Sequence, residues 1–216
     1  RVFSYSLPGL PKPTIKNINF ELIAICNIMT EIMEENNNPQ EKSSFWEFVR
    51  YAIIALLIVI PFRIFIAQPY VVSGSSMDPT FKDADYLIVD QLSKRFEEPA
   101  RESVVIIKYP KDPSKFFIKR LIAFPNEKVE IKDGIVTVFN DVNPGGITIK
   151  DPYVVFKKSE NFTAQLAEDE YFVMGDNRAG SSDSRIWGPV PKKYIIGRPI
   201  IRLMPLNKIN VWPGLY

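Results

Sequence analysis

The stretch Trp46–Tyr70, WEFVRYAIIALLIVIPFRIFIAQPY, concentrates apolar residues more densely than any other segment of this chain. Tyr51 to Phe62 carries no charge, and reading on past Arg63 to Ala67 approaches the ~20 residues that cross ~30 Å of hydrocarbon as a helix. Arg50 and Arg63 can run their aliphatic stems to the two interfaces. Phe45, Trp46 and Phe48 at one end, with Phe65 and Tyr70 at the other, read as aromatic belts. The sequence therefore predicts a membrane anchor over residues 45–69 and a separate body over 70–216. A buried core helix is the alternative. A cleavable leader fits poorly, because no A-x-A-like site follows the apolar run. Lys42 and Arg50 on one side are matched by Arg63 and Lys82 on the other, so flanking charge sets no orientation.

Residues 1–44 read as a disordered tail. Pro8, Pro11 and Pro13 and the tract Asn36-Asn37-Asn38-Pro39 interrupt regular structure, and the apolar stretch Leu22–Ile25 is far too short to span a bilayer. The first residue is Arg, and Met29 and Met33 are candidate starts. Cys26 would suit lipid attachment only behind a small residue, and Ile25 is not one.

Beyond Tyr70 the pattern changes to short β-branched and aromatic runs: Tyr86–Val89, Val104–Tyr109, Phe116–Phe124, Val129–Ile131, Tyr153–Phe156, Tyr171–Met174 and Ile195–Leu203. Pro, Asp and Gly break them, as in all-β domains. Asp133-Gly134 between Glu130–Lys132 and Ile135–Val138 is a two-residue hairpin signal.

Composition then narrows the chemistry. The chain has no histidine, which removes Ser-His-Asp triads, Cys-His dyads and histidine-based zinc sites. Cys26 is the sole cysteine, so neither an intrachain disulfide nor a thiolate cluster can form. Lys and Arg number 27 against 25 Asp and Glu, a balance that argues against a nucleic-acid partner. A proton shuttle must use Lys, Asp, Glu or Tyr.

Three stretches carry chemistry. Val72-Ser-Gly-Ser-Ser-Met-Asp-Pro-Thr80 taken alone is a polar turn. Phe117-Ile-Lys-Arg-Leu-Ile-Ala-Phe-Pro125 sets two cations in an apolar strand, where alternation puts Lys119 on one face with Phe117 and Leu121, and Arg120 on the other with Ile118 and Ile122. A lone lysine there is ordinarily an edge-strand gatekeeper. Met174-Gly-Asp-Asn-Arg-Ala-Gly-Ser-Ser-Asp-Ser-Arg-Ile-Trp-Gly188 taken alone is a solvated loop.

Their order behind a membrane segment resembles the bacterial type I signal peptidases, over about Trp46 to Pro205. The resemblance implies an all-β catalytic domain of partly barrelled antiparallel sheets with one N-terminal transmembrane helix. It implies Ser76 as nucleophile and Lys119 as general base, with Ser181 orienting the lysine. Asp183 and Arg185 match a supporting ion pair, Asp176 and Arg178 belong to the same loop, and Arg120 adjoins the base. The Ser76 backbone N–H is the implied first oxyanion donor, with the second near Gly74 or Ser75. Tyr70, Val72, Met77 and Phe117 are the expected substrate contacts. No cofactor and no metal is implied. The implied partners are signal peptides with small residues at the first and third positions before the cut, and the lipid bilayer, with the catalytic domain on the exterior face of the plasma membrane.

Physical chemistry sets a condition on this reading. A lysine of pKa near 10.4 is neutral in only about one molecule in a thousand at neutral pH. Lys119 must be desolvated, and a depression of about three units corresponds to roughly 4 kcal/mol. The chain departs from the family's pattern at three places. Glu102-Ser103 stands where many members have Gly-Asp. Ala123-Phe-Pro-Asn-Glu127 lacks two glycines, although Asn126 tolerates left-handed geometry. Gly74 replaces a serine that donates to the oxyanion in some members. Two rivals are an anchored β-domain without catalysis and a self-cleaving Ser–Lys repressor protease. The second needs a DNA-binding segment where residues 1–70 offer a membrane segment.

Overall fold

Asp133 and Gly134 take φ values of 50° and 82°, the left-handed pair that matches a tight turn to strand twist. They join β6 (Lys128–Lys132) to β7 (Ile135–Phe139) in the expected hairpin. The computed structural model describes residues 2–4, 44–61, 67–93 and 96–215.

The remaining strands are β1 (Val2–Ser4), β2 (Ala67–Val72), β3 (Tyr86–Asp90), β4 (Val104–Tyr109), β5 (Asp112–Ala123), β8 (Ile147–Thr148), β9 (Phe162–Gln165), β10 (Glu170–Met174), β11 (Val190–Pro191), β12 (Ile195–Met204) and β13 (Asn210–Val211). Among the described residues one sheet runs β1-β2-β3-β12-β4-β5-β10-β11, with β13 on β12, and a smaller one runs β8-β7-β6-β9. All pairings are antiparallel, and β1 pairs with both β2 and β5, closing six strands into a ring. Val2 lies opposite Val72 in one neighbour and Phe116 in the other. Val2–Ser4 are thus strand, not the disordered tail expected of 1–44; residues 5–43 lie outside the described residues.

Strand alternation explains why β4 is apolar at successive positions. Val104 and Ile106 join one core with Tyr70, Val72, Phe81, Leu87 and Ile118, while Val105 and Ile107 join another with Leu121, Tyr171, Val173 and Trp187. Both faces are covered, so neither set reads as alternating. A third core, built on Ile122, Val129, Ile131, Val136, Val138 and Phe172, holds the small sheet.

A helix covers Ser44–Pro61, and Trp46, Phe48, Tyr51, Leu56, Ile58 and Val59 on it are exposed. Among the described residues no helix is long and apolar enough to cross a membrane. Residues 62–66 of the expected anchor lie outside the described residues. Ala67–Pro69, placed by the sequence at the anchor's end, are extended instead, because they pair with Asp90–Ile88 of β3.

Candidate active site

Two strands deliver the key side chains. β2 ends at Val72, four residues before Ser76, and β5 carries Lys119 and Arg120 on opposite faces. β10 pairs with β5, Met174 opposite Arg120, so the polar loop that starts at Gly175 opens beside these residues. Gly175 is where the loop and the Ser76 turn meet. A Cβ there would lie 2.2 Å from Ser181 Oγ and 2.4 Å from the Ser76 carbonyl oxygen, so only glycine fits. Asn177 ties the two segments together: its backbone N–H donates to the Ser76 carbonyl at 3.1 Å and its side-chain amide to the Ser75 carbonyl at 3.1 Å.

Lys119 Nζ donates to Ser76 Oγ at 2.8 Å and to the Ile118 carbonyl at 3.0 Å. The lysine is 2% exposed. Phe117 and Leu121 share its core as alternation predicted, and the Phe117 ring centroid is 5.4 Å from Nζ. Burial pushes the ammonium down to about 8, against the opposing pull of the Asp183 and Asp176 carboxylates. At that value about one lysine in ten is neutral at pH 7. The free amine can then accept the Ser76 hydroxyl proton along the same 2.8 Å line.

Arg120 points away from Lys119 and is fully employed. Its Nε and Nη2 donate to the two Asp176 oxygens at 2.8 and 2.6 Å, and Nη1 to the Glu102 and Gly214 carbonyls at 2.6 and 2.7 Å. Its guanidinium stacks 3.8 Å from the Tyr153 ring centroid. Thr80 Oγ1 donates to Asp176 at 2.5 Å, which fastens the far end of the Ser76 loop to the same carboxylate.

Asp183 caps the short helix Ser184–Trp187 and accepts from the Gly175 N–H at 3.0 Å. Burial opposes its charge, but Arg185, donating at 2.8 and 2.7 Å, holds the carboxyl below its usual range. Arg185 also pairs with Glu160 and donates to the Arg178 carbonyl at 2.9 Å. Arg178 reaches Asp151 at 2.8 Å.

Some expectations do not match the geometry. Ser181 Oγ is buried without a hydrogen-bond partner among the described residues; it lies near enough to Asp183 to favour that carboxylate's charge, but it makes no bond to Lys119. The lysine's second bond goes to Ile118 instead. Tyr70, Val72 and Met77 are buried in the ring's core, and only Phe117 is half-buried. Alternation in β2 turns Tyr70 and Val72 inward, so a strand beside β2 meets their backbone rather than their side chains. Gly74 sits at φ 94°, a conformation that favours glycine. Its N–H donates to Asp83 Oδ1 at 2.7 Å. The Ser75 and Ser76 N–H groups donate to nothing among the described residues. The two turns that lack the family's glycines still form, with Glu102 at φ 63° and Asn126 at φ 66°.

Sequence reasoning passed over Asn177, Thr80, Asp83, Asp151 and Glu160. Asn177 and Thr80 lie inside motifs already singled out, whereas Asp151 and Glu160 come from a loop with no local signal. Among the described residues no three acidic or cysteine side chains converge as a metal site requires.

Comparison with known proteins bears on the whole arrangement. Residues 45–204 match the family described as signal peptidase, peptidase S26. A probable signal peptidase I-1 of Synechocystis is 32% identical over 76% of this chain and 86% of its own. A signal peptidase I of Bacillus licheniformis is 32% identical over 82% of this chain and 98% of its own. The crystal structure of a signal peptidase I from Enterococcus faecalis, 27% identical, covers 47% of this chain and 97% of its own with a TM-score of 0.40.

Proposed function

The chain belongs to the signal peptidase family, peptidase S26, and on that premise we propose that it cleaves signal peptides from preproteins with a Ser76–Lys119 dyad. The observation that carries the dyad is the 2.8 Å contact between Ser76 Oγ and a buried Lys119 whose ammonium is held at about 8. A serine hydroxyl is a weak nucleophile unless a base takes its proton during attack, and a dry lysine is the base available beside it.

The steps follow from this geometry. Neutral Lys119 takes the Ser76 proton as Oγ attacks the scissile carbonyl carbon. The carbon–nitrogen bond breaks, and the Lys119 ammonium returns the proton to the departing amine. Water then attacks the acyl-enzyme, giving a proton to Lys119, which restores the Ser76 hydroxyl as the new carboxyl product leaves. No cofactor takes part. Asp176 with Arg120, and Asp183 with Arg185 and Arg178, hold the loop that presses on the serine turn.

The substrate lies as an added strand between β2 and β5, taking the place that β1 fills in this structure. Support comes from β1, an extended segment that pairs with both strands in that gap. Main-chain bonds set register there, and small residues before the cut suit the limited space left by the inward-facing side chains.

A lipid partner is supported by the helix Ser44–Pro61 and by exposed apolar side chains at Met204, Leu206, Ile209, Val211 and Leu215, an apolar display that soluble proteins seldom leave uncovered. In this reading the segment from residue 45 up to the start of β2 at Ala67 anchors the chain, with the body from β2 onward on the exterior face. The pairing of β1 favours a second topology. A single crossing between Tyr5 and Ala67 would separate β1 from β2, whereas their pairing calls for both strands on one side.

The test is cleavage of a preprotein in vesicles, combined with labelling by an acylating serine inhibitor. Label mapped to Ser76, and a folded Ser76→Ala that neither cleaves nor labels, is the expected result. Full activity in Ser76→Ala with loss in Ser75→Ala would overturn the assignment. Protease added outside sealed cells separates the topologies: the body digested and the tail protected for a single crossing, both digested for the alternative.

A further inference from the structure

The loop from Ser73 to Asp85 is closed at its neck by two backbone bonds, Val72 N–H to Asp85 oxygen and Ala84 N–H to Val72 oxygen, both 2.9 Å. Ala84, at φ 66°, turns the chain so that the residue before it faces back across the loop. That residue is Asp83, and its Oδ1 accepts the Gly74 N–H at 2.7 Å. Its neighbour Asp85 is occupied elsewhere, accepting from the Lys82 N–H and pairing with Arg202. The turn 74–76 is therefore held from two sides. Asn177 grips the carbonyls of Ser75 and Ser76, and Asp83 grips the N–H of Gly74.

We infer that Asp83 is a positioning residue for oxyanion stabilisation. This rests on the Ser76 reading above. Peptide planes are rigid, so with Asp83 holding the Ser73–Gly74 plane before the turn and Asn177 holding the Ser75 and Ser76 carbonyls after it, the Ser75 N–H between them is aimed from both sides. Glycine alone has no side chain to hold this left-handed state, and it samples the mirror conformation about as readily. A short bond to a carboxylate narrows that freedom by anchoring the plane on the glycine's N-terminal side, the Asn177 bonds anchoring the other. Gly74's own N–H is thereby committed to Asp83, and the donors left for a tetrahedral oxyanion are the Ser75 and Ser76 N–H groups, which bond nothing else among the described residues. The role is geometric, since a negative charge beside a developing oxyanion opposes it. An asparagine offers the same Oδ1 acceptor without that charge.

The Asp83 side chain is exposed, so its replacement leaves the cores intact and the variants fold. The experiment compares kcat and KM on a short signal-peptide substrate for the full chain and for Asp83→Ala and Asp83→Asn, with thermal unfolding alongside. Asp83→Ala should lose about tenfold in kcat with KM within about twofold, a smaller loss than deleting a whole oxyanion donor. Asp83→Asn should keep at least the parent's kcat, and the acid limb of the pH profile should stay in place in both, since Lys119 is untouched. An Asp83→Ala variant as fast as the parent, or an Asp83→Asn variant as slow as Asp83→Ala, overturns the inference while leaving the dyad standing. A parent chain that neither cleaves nor labels at Ser76 overturns both.

Discussion

Arg120 and Asp176 meet as a two-pronged ion pair with side chains 1% and 0% exposed. Neither charge can be hydrated, so each depends on the other and on the Glu102, Gly214 and Thr80 groups around them. A hydrophobic replacement of one partner strands the other, which costs about 3–5 kcal/mol. Arg120→Met should therefore lower the urea midpoint by that equivalent with an unchanged slope. In the material that still folds, the uncompensated Asp176 charge should raise the Lys119 pKa and move the acid limb of activity to higher pH. A midpoint within the error of the parent would show that the pair carries no such weight.

The Lys119 ammonium is held at about 8 chiefly by burial, and only the free amine accepts a proton from Ser76. As pH falls through that value the amine is lost, so kcat/KM should drop about tenfold per unit below it. A profile flat from acid to alkaline pH would contradict a lysine base. Lys119→Arg should be inactive at every pH tested, because guanidinium stays charged.

The same depression has a consequence for stability. The unfolded chain binds the lysine proton up to its ordinary range, whereas the folded chain releases it near 8, so between those values the unfolded state holds more protons and stability rises with pH. Below about 8 the buried ammonium costs on the order of 3 kcal/mol. Lys119→Met should accordingly be inactive yet more stable than the parent at pH 7, with the advantage gone near pH 10.5. Urea midpoints at the two pH values measure this, and equal stability of the two proteins at pH 7 would refute it.

Local periodicity accounts for what could be read in advance. Alternation across Phe117–Ile122 sent Lys119 and Arg120 to opposite faces, and Asp133-Gly134 named its own turn, because each depends on residues within a few positions. The meeting of Ser76 with Lys119 and with the 175–185 loop was legible only by resemblance, since strand pairing over such separations leaves no local mark. The pairing of Val2–Ser4 with β2 and β5 was invisible for the same reason. The resemblance implies substrate contacts at Tyr70, Val72 and Met77, but burial is decided by which sheet face closes over them. Asp151 and Glu160 pair with arginines of the site from a loop whose composition is ordinary.

Gly175 offers a steric test. Its missing Cβ is what lets the Ser76 carbonyl approach, at 2.4 Å from where that atom would be, and backbone cannot swing aside as a long side chain can. Gly175→Ala should displace the serine turn by enough to cost about 100-fold in kcat. Adding Ser181→Ala removes the contact with its hydroxyl but keeps those with its Cβ and with the Ser76 carbonyl, so the double variant should remain impaired. Recovery in the double variant would place the conflict at the Ser181 hydroxyl alone.

The second oxyanion donor can be narrowed by elimination. Gly74 has no hydroxyl and its N–H is spent on Asp83 at 2.7 Å. The hydroxyls of Ser73 and Ser75 are the side-chain candidates; the Ser75 N–H has no partner among the described residues and adjoins the Ser76 N–H in the same turn. Two successive amides held by Asp83 and Asn177 form a donor pair that needs no side chain. Ser73→Ala and Ser75→Ala should then each keep most of kcat, because alanine retains the backbone. A hydroxyl donor would instead reveal itself by a loss of roughly 100- to 1000-fold, about 2.7–4 kcal/mol, in one of the two. Such a loss in Ser75→Ala with unchanged thermal stability would move the second donor from the Ser75 amide to its side chain.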